Sequence, residues 1–351
     1  MKEIIKNLGH DELVNFFKST GEKSYRAKQL LNWIYARNVD SFISMTNFSK
    51  PLRHYLQDNF ILNPLEVVKR LISEKDGTEK FLFKTHDDNY IEAVLIKNDG
   101  SDDGRLTVCL SSQIGCSLGC KFCHTGMMGF TRDLETGEII DQLCHIRRMT
   151  GLENNNIVFM GMGEPFLNYD NVLKAADILN YSYGFHISTR KITISTAGIG
   201  DSIERFIDEK RPYNLAISLN DTVPERRRKY MPVEKKFPIL EISKILEKKV
   251  PISRNRVTVE YVMRKDNISP DDADRLIDFL RNRKIKLNLI PLNMGKHKYD
   301  VPTEEEIDKF ISHLEHKKLT VSVRKSMGSD ISGACGQLSG SIQKTKGVSH
   351  I

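Results

Sequence analysis

The strongest constraint on this chain is a rhythm. From Arg105 onward seven strand-like segments, LTVCLS, NIVFMG, KITIST, NLAISL, VTVEYVM, IKLNLI and LTVSVR, alternate with helical ones. The helical segments are TGEIIDQLCHIRRM, NVLKAADILNY, LEISKILEKK, DDADRLIDFLRN and TEEEIDKFISHLEHK. Strands alternating with helices predict a parallel sheet covered by helices. Six or seven such units predict an open or partial α/β barrel, whose chemistry gathers in loops after the C-terminal ends of the strands.

Before that rhythm the pattern differs. Residues 1–62 read as a small helical accessory domain, with apolar residues of YRAKQLLNWIYARN at three- and four-residue spacing around Leu30, Leu31, Trp33, Ile34 and Tyr35. That stripe predicts a helical core, and the flanking Lys23, Arg26, Lys28 and Arg37 offer a surface that RNA could use. Residues 63–104 shorten to strand-like KFLFKT and YIEAVLI, a β-rich connector. The barrel core then covers 105–341, and 342–351 reads as a flexible tail.

Composition narrows the class. With 39% hydrophobic and 28% charged residues, the 351-residue chain is neither disordered nor a coiled coil. It has no run of about 18 apolar residues, so no membrane span is expected. The start, MKEIIKNLGHDELV, lacks the apolar stretch of a signal peptide, and the expected location is the cytoplasm. A net charge of +7 is compatible with a polyanionic partner without requiring one.

The six cysteines are more informative. In a reducing cytoplasm they are free, metal-bound or catalytic rather than bridged. Cys116, Cys120 and Cys123 form a C-x3-C-x2-C pattern in the loop after the first barrel strand, CLSSQIGCSLGCKFCHTG. Three thiolates suit an iron–sulfur cluster that leaves one iron open for a substrate. The alternative is a structural zinc ion, which needs a fourth ligand, and Cys109 is the better candidate because His124 directly adjoins Cys123.

With Phe122 before the last cysteine, this spacing resembles the radical S-adenosylmethionine (SAM) enzymes. More narrowly, the chain is similar to the RlmN/Cfr family of radical SAM RNA methyltransferases. The motifs that carry the resemblance are TVCLSSQIGCSLGCKFC, FMGMGEPFLNYDNV, ITISTAGI, RRKYMPV, NLIPLN and SVRKSMGSDISGACGQL. Together with YRAKQLLNWIY they span nearly the whole chain.

The resemblance implies a partial (β/α)6 radical-SAM barrel with an N-terminal accessory domain and a short β extension. It also implies a [4Fe-4S] cluster on Cys116, Cys120 and Cys123, whose open iron chelates SAM. Gly163 and Glu164 of GMGEP, Ser195 of ISTAG, Ser218, Leu219 and Asn220 of AISLN, and Asn293 of NLIPLN match SAM-contacting positions. Two positions depart from the family: Asn220 replaces a common histidine, and Met294 replaces a common proline.

Cys335, in GACGQL, matches the family's methyl carrier, and Cys109 its resolving cysteine. A lone loop cysteine is ordinarily inert, but Gly333 and Gly336 predict an exposed, mobile loop that lets the thiol reach a target. Cys144 matches no catalytic position and reads as structural. An adenine carbon such as C2 is electrophilic and cannot attack a SAM methyl, so the resemblance implies a radical route. Its carbon comes from a methyl on Cys335, and the product is released through a Cys109–Cys335 disulfide. Glu92 of YIEAVLI, by itself an exposed strand carboxylate, matches the family's proton acceptor.

The basic stretch ERRRKYMPVEKK places Arg226, Arg227, Arg228, Lys229, Lys235 and Lys236 in a loop suited to RNA phosphates. The implied substrates are an adenosine in 23S rRNA and adenosine 37 of tRNA. The implied electron donor is of the flavodoxin or ferredoxin type, and the protein is expected to be a monomer. Two alternatives stand beside this: a Cfr-type enzyme methylating carbon 8, which Pro165 disfavours, and a non-catalytic zinc/RNA-binding protein.

Overall fold

The computed structural model describes residues 2–97, 106–152, 155–249, 257–281, 285–293, 299–317, 319, 321–324 and 326–340. Met294 and the tail 342–351 lie outside these. Near the N-terminus stand α1 (His10–Ser19), α2 (Tyr25–Leu31, running into a π turn at Asn32–Ala36) and α3 (Lys50–Asn59). The apolar stripe of α2 is core, since Leu30, Leu31, Trp33, Ile34 and Tyr35 are all buried. Of its flanking cations, Lys23, Lys28 and Arg37 are exposed. Arg26 is not free for RNA, because its guanidinium donates to Glu22, Gln29 and the Asn47 carbonyl.

Three antiparallel strands follow, β1 (Glu66–Ile72), β2 (Glu79–Lys84) and β3 (Tyr90–Lys97). Then come β4 (Leu106–Cys109), α4 (Thr136–Thr150), β5 (Asn155–Phe159), α5 (Tyr169–Asn180), β6 (Ile192–Thr196) and α6 (Gly200–Asp208). The series continues with β7 (Asn214–Ser218), α7 (Pro224–Tyr230), α8 (Ile239–Lys249), β8 (Val257–Met263), α9 (Pro270–Leu280), β9 (Lys286–Pro291), α10 (Glu304–His316) and β10 (Val321–Val323). Strands β4 to β10 pair in parallel and in chain order, and β3 joins β4 antiparallel, so the connector extends the barrel sheet to ten strands. Among the described residues β4 and β10 do not pair, which leaves the barrel partial.

The strands are short runs of β-branched and aliphatic residues; on one face Val108, Ile157, Ile194, Ile217, Val259 and Leu287 are buried, while on the other Thr107, Val158, Thr193, Ala216, Thr258 and Asn288 line a cavity. Helix α6 is absent from the sequence expectation; its signal is the buried Ile203 and Phe206 at helical spacing. Among the described residues no helix is long and apolar enough to cross a membrane.

The accessory helices are fixed to the barrel by buried charge. Lys6 pairs with Asp141 of α4, both essentially inaccessible, and Asp141 also accepts from the Leu65 amide at 3.1 Å and faces His145 at 3.4 Å. Burial opposes ionisation, yet Lys6 and His145 hold the Asp141 carboxyl down to about 2. Removing one partner of a buried pair leaves the other charge uncompensated, so Asp141→Asn is expected to cost about 3–5 kcal/mol in denaturant unfolding. Because the folded-state value is depressed, the stabilisation is present above the ordinary aspartate range and is lost as pH falls toward 2; the variant's acid limb should flatten.

Candidate active site

The cysteine loop is folded by glycines and stitched to the next strand end. Gly115 sits at φ +75°, and a Cβ there would lie 2.0 Å from the Gly129 carbonyl oxygen. That close approach belongs to a hairpin, Gln113–Gly115 against Phe130–Asp133, in which the Cys116 amide donates to Gly129 at 2.7 Å. Cys123 precedes a single helical turn, His124–Met127, and a Cβ on Gly126 would come within 2.8 Å of the Cys120 backbone. The loop therefore closes on itself in a way only these residues permit.

Ser112 and Gln113 amides donate to the Met162 carbonyl at 2.8 and 3.1 Å, and the Gln113 side chain accepts from the Glu164 amide at 2.8 Å. Gly163, at φ +101°, would place a Cβ 2.5 Å from Gln113, and a Cβ on Gly161 would sit 2.7 Å from Leu110 and Ser111. These glycines admit the cysteine loop itself. Gly163→Ala is expected to dislodge that loop, and iron and sulfide analysis of anaerobically prepared protein should show most of the cluster lost while far-UV circular dichroism keeps its helical signal.

One cavity at the C-terminal ends of the strands is lined by Cys116, Cys120 and Cys123 together with Cys109 and Cys335. Gly163, Glu164, Ser195, Ser218 and Asn220 line it too, so most of the residues matched from sequence converge here. Leu219 does not; it is fully buried beneath, with its amide bonded to the Ile217 and Glu260 carbonyls. Asn293 lines the adjoining cavity, and its side-chain Nδ2 donates to the Cys335 carbonyl at 2.9 Å. Asn220 adopts φ +57°, a left-handed conformation asparagine tolerates. Its side chain is engaged, accepting from the Val262 amide at 3.0 Å and donating to the Met231 sulfur at 3.3 Å.

Glu164 is buried and accepts from the Ala197 amide at 2.7 Å and the Phe166 amide at 2.9 Å. Burial pushes its carboxyl up to about 7 despite those bonds. A carboxylate has acceptor capacity beyond two bonds, so Glu164 can still meet an ammonium group. Two charged residues missed from sequence also line the cavity, Glu260 on β8 and Arg324 after β10. Ser195 and Ser218 hydroxyls reach Glu260 at 3.3 and 3.5 Å. The available signals were a carboxylate inside the otherwise apolar VTVEYVM and an arginine closing SVR.

Burial pushes Cys116 up to about 12 and drives Cys120 higher still. Three thiols, one buried and two half-buried, are a donor set that suits an electropositive centre, which deprotonates coordinating thiols outright. Among the described residues no three His, Cys, Asp or Glu gather tightly enough to hold a single metal ion. Cys116, Cys120 and Cys123 all line this cavity, and three thiolates are the donor set that would hold a [4Fe-4S] cluster with one iron left open. Cys109, buried at the end of β4, and Cys335, exposed as a residue but with its sulfur in the cavity, share that cavity; desolvation of the two thiols raises them to about 12 and about 11, each against the pull of Arg324.

Three sequence expectations need correction. Glu92 is almost completely buried, not exposed, and does not line this cavity; it sits in the sheet's covered face, paired with Lys80 at 3.0 Å. The basic stretch is α7 and a 3-10 turn (Pro232–Lys235), not a loop. Arg227 is inaccessible and braces the strand ends, donating to Leu219 and Ala197 carbonyls and to Glu234, while Arg226 is taken up by Asp221 and Asp272. Arg228, Lys229, Lys235 and Lys236 stay exposed. The Cys335 loop, read as mobile, is tied down: the His124 amide donates to Gly336 at 2.8 Å and Thr125 Oγ1 to Leu338 at 2.7 Å. Cys144 is buried on α4 as expected.

Two family models match the chain, the ribosomal RNA large subunit methyltransferase N-terminal domain over residues 5–62 and the radical SAM superfamily over residues 110–280. A dual-specificity RNA methyltransferase RlmN from Geotalea uraniireducens is 42% identical over 97% of both chains. Its namesake from Geobacter sulfurreducens is 40% identical over 97% of this chain and 93% of its own. The crystal structure of a radical SAM methyltransferase from Sphaerobacter thermophilus superposes with a TM-score of 0.88 at 35% identity, covering 97% of this chain and 100% of that one.

Proposed function

This chain belongs to the RlmN family of radical SAM RNA methyltransferases, and we propose that it methylates carbon 2 of an adenosine in 23S rRNA, at the peptidyl transferase centre, and adenosine 37 of tRNA. The observation that carries this reading is the shared cavity, in which Cys335 and Cys109 face the three cysteines suited to a cluster and the Glu164 suited to SAM. A structural zinc site could take Cys109 as its fourth ligand but would give Cys335 no task.

The cofactors of the superfamily are a [4Fe-4S] cluster and SAM, and when bound they supply one-electron chemistry that makes a sulfur-bound methyl carbon reactive toward an electrophilic ring carbon. Cys116, Cys120 and Cys123 would hold the cluster, while Glu164, Ser195 and Ser218 would orient SAM. The Cys335 sulfur gives up its proton to solvent on accepting a methyl group; that carbon, stripped of one hydrogen atom by the one-electron chemistry the cofactors would supply, bonds to carbon 2 of the adenine, and the ring hydrogen leaves as a proton while one electron returns to the cofactors. Cys109 Sγ, giving up its proton, then attacks the Cys335 sulfur; an S–S bond forms, the bond from Cys335 sulfur to the RNA-borne carbon breaks, and its electron pair leaves with that carbon, which takes up a proton to become the methyl group. Two electrons and two protons from a flavodoxin- or ferredoxin-type donor restore both thiols. The exposed Arg228, Lys229, Lys235 and Lys236 beside the cavity contact phosphates of an RNA whose target base is extruded.

Nucleoside mass spectrometry of rRNA and tRNA, after anaerobic reaction with reconstituted enzyme, SAM and reductant, tests this. 2-Methyladenosine in both RNAs is expected. 8-Methyladenosine would place the chain with the Cfr type, and tRNA left unmodified would remove the second substrate.

A further inference from the structure

Cys335 sits on a segment with no regular secondary structure, yet both ends of that segment are bonded to one ion pair. Lys80 on β2 and Glu92 on β3 pair at 3.0 Å, both nearly inaccessible. The strand register sets Lys80 against Val94 and Leu82 against Glu92, which puts the two side chains diagonally on one face. Lys80 Nζ also donates to the Ser332 carbonyl at 3.3 Å, and the second Glu92 oxygen accepts from the Ser339 amide at 2.8 Å. Ser332 and Ser339 flank Cys335 on either side. Ser332 is held at φ +53°, a conformation that a serine keeps only when its surroundings impose it.

Burying a lysine and a glutamate together is often no more stable than an apolar pair of similar size. What the pair adds is direction: each partner spends one bond on the other and one on the loop. We infer that Lys80 is a positioning residue for Cys335, acting through the Lys80–Glu92 pair that pins both feet of the 332–339 loop in front of Cys109. This rests on the reading that Cys335 carries the methyl group. Displacing a reacting atom by about 1 Å can cost about 10²-fold in rate.

The test uses the full-length, cluster-loaded enzyme. In Lys80→Met, hydrogen–deuterium exchange of peptides covering 332–340 should rise at least about tenfold, since a buried bond is lost, while the sheet amides of 81–96 stay protected. The kcat for RNA methylation should fall about 10²-fold with KM for RNA and SAM affinity unchanged, and Lys80→Arg should restore most of both. Should Lys80→Met fail to fold, Lys80→Met combined with Glu92→Leu removes both charges and should release the loop equally. Unchanged exchange in 332–340, an equal rise throughout the sheet, or wild-type kcat in a variant whose loop is released would each overturn the inference. Failure of the methyl-carrier reading is seen separately, as unmethylated Cys335 in active wild-type enzyme.

Discussion

Replacing Cys335 by alanine should abolish RNA methylation, with turnover falling by at least about 10³-fold, as expected when a group that bonds to the transferred carbon is removed. The loss should be chemical and not structural. Cys335 opens to solvent at the cavity, its neighbours Ala334 and Leu338 supply the packing, and the loop's bonds run through backbone atoms that alanine keeps. The variant should therefore load iron and bind SAM like the wild type. Methyl transfer by Cys335→Ala at an ordinary rate would remove the carrier role altogether.

The second large effect is expected at Cys109. Without the resolving sulfur, the carbon delivered to the RNA has no partner to release it, so Cys109→Ala should stall after a single event with the RNA held through Cys335. Denaturing gel electrophoresis would show a protein band shifted by RNA, sensitive to nuclease, and product formation would drop below one per enzyme. Cys109 is buried at the end of β4, and burial holds its thiol near 12. Its reactivity must therefore come from its position beside Cys335 and Arg324, because a thiolate is not present ahead of need. RNA-free Cys109→Ala with full turnover would refute the resolving role.

Much of this was legible in the sequence because it depends on local spacing. The strand–helix alternation, the C-x3-C-x2-C loop, GMGEP and GACGQL each occupy a few consecutive residues, and a parallel sheet with ordered connections brings its strand ends together by topology. What could not be read were contacts between distant segments. Arg226 and Arg227 look like any basic run until Asp221, Asp272 and Glu234 close on them. Gly163 reads as a gap left for a ligand, while the space is filled by Gln113 from fifty residues away. Glu92 alternates within a strand as a solvent-facing carboxylate would, and only the packing of the Cys335 loop against β2 and β3 shows why it is buried. Glu260 and Arg324 lacked a motif; the curvature of the sheet puts them in the cavity.

In the proposed reaction the carbon reaching RNA passes through Cys335. The direct measurement is a pulse and chase: load Cys335 with a 13C-methyl group, remove the donor, and start a single turnover with unlabelled SAM and RNA under reducing, anaerobic conditions. The methyladenosine of the first turnover should carry 13C, and the label should disappear from the Cys335 peptide. An unlabelled methyl on the RNA, with 13C retained on Cys335, would contradict it.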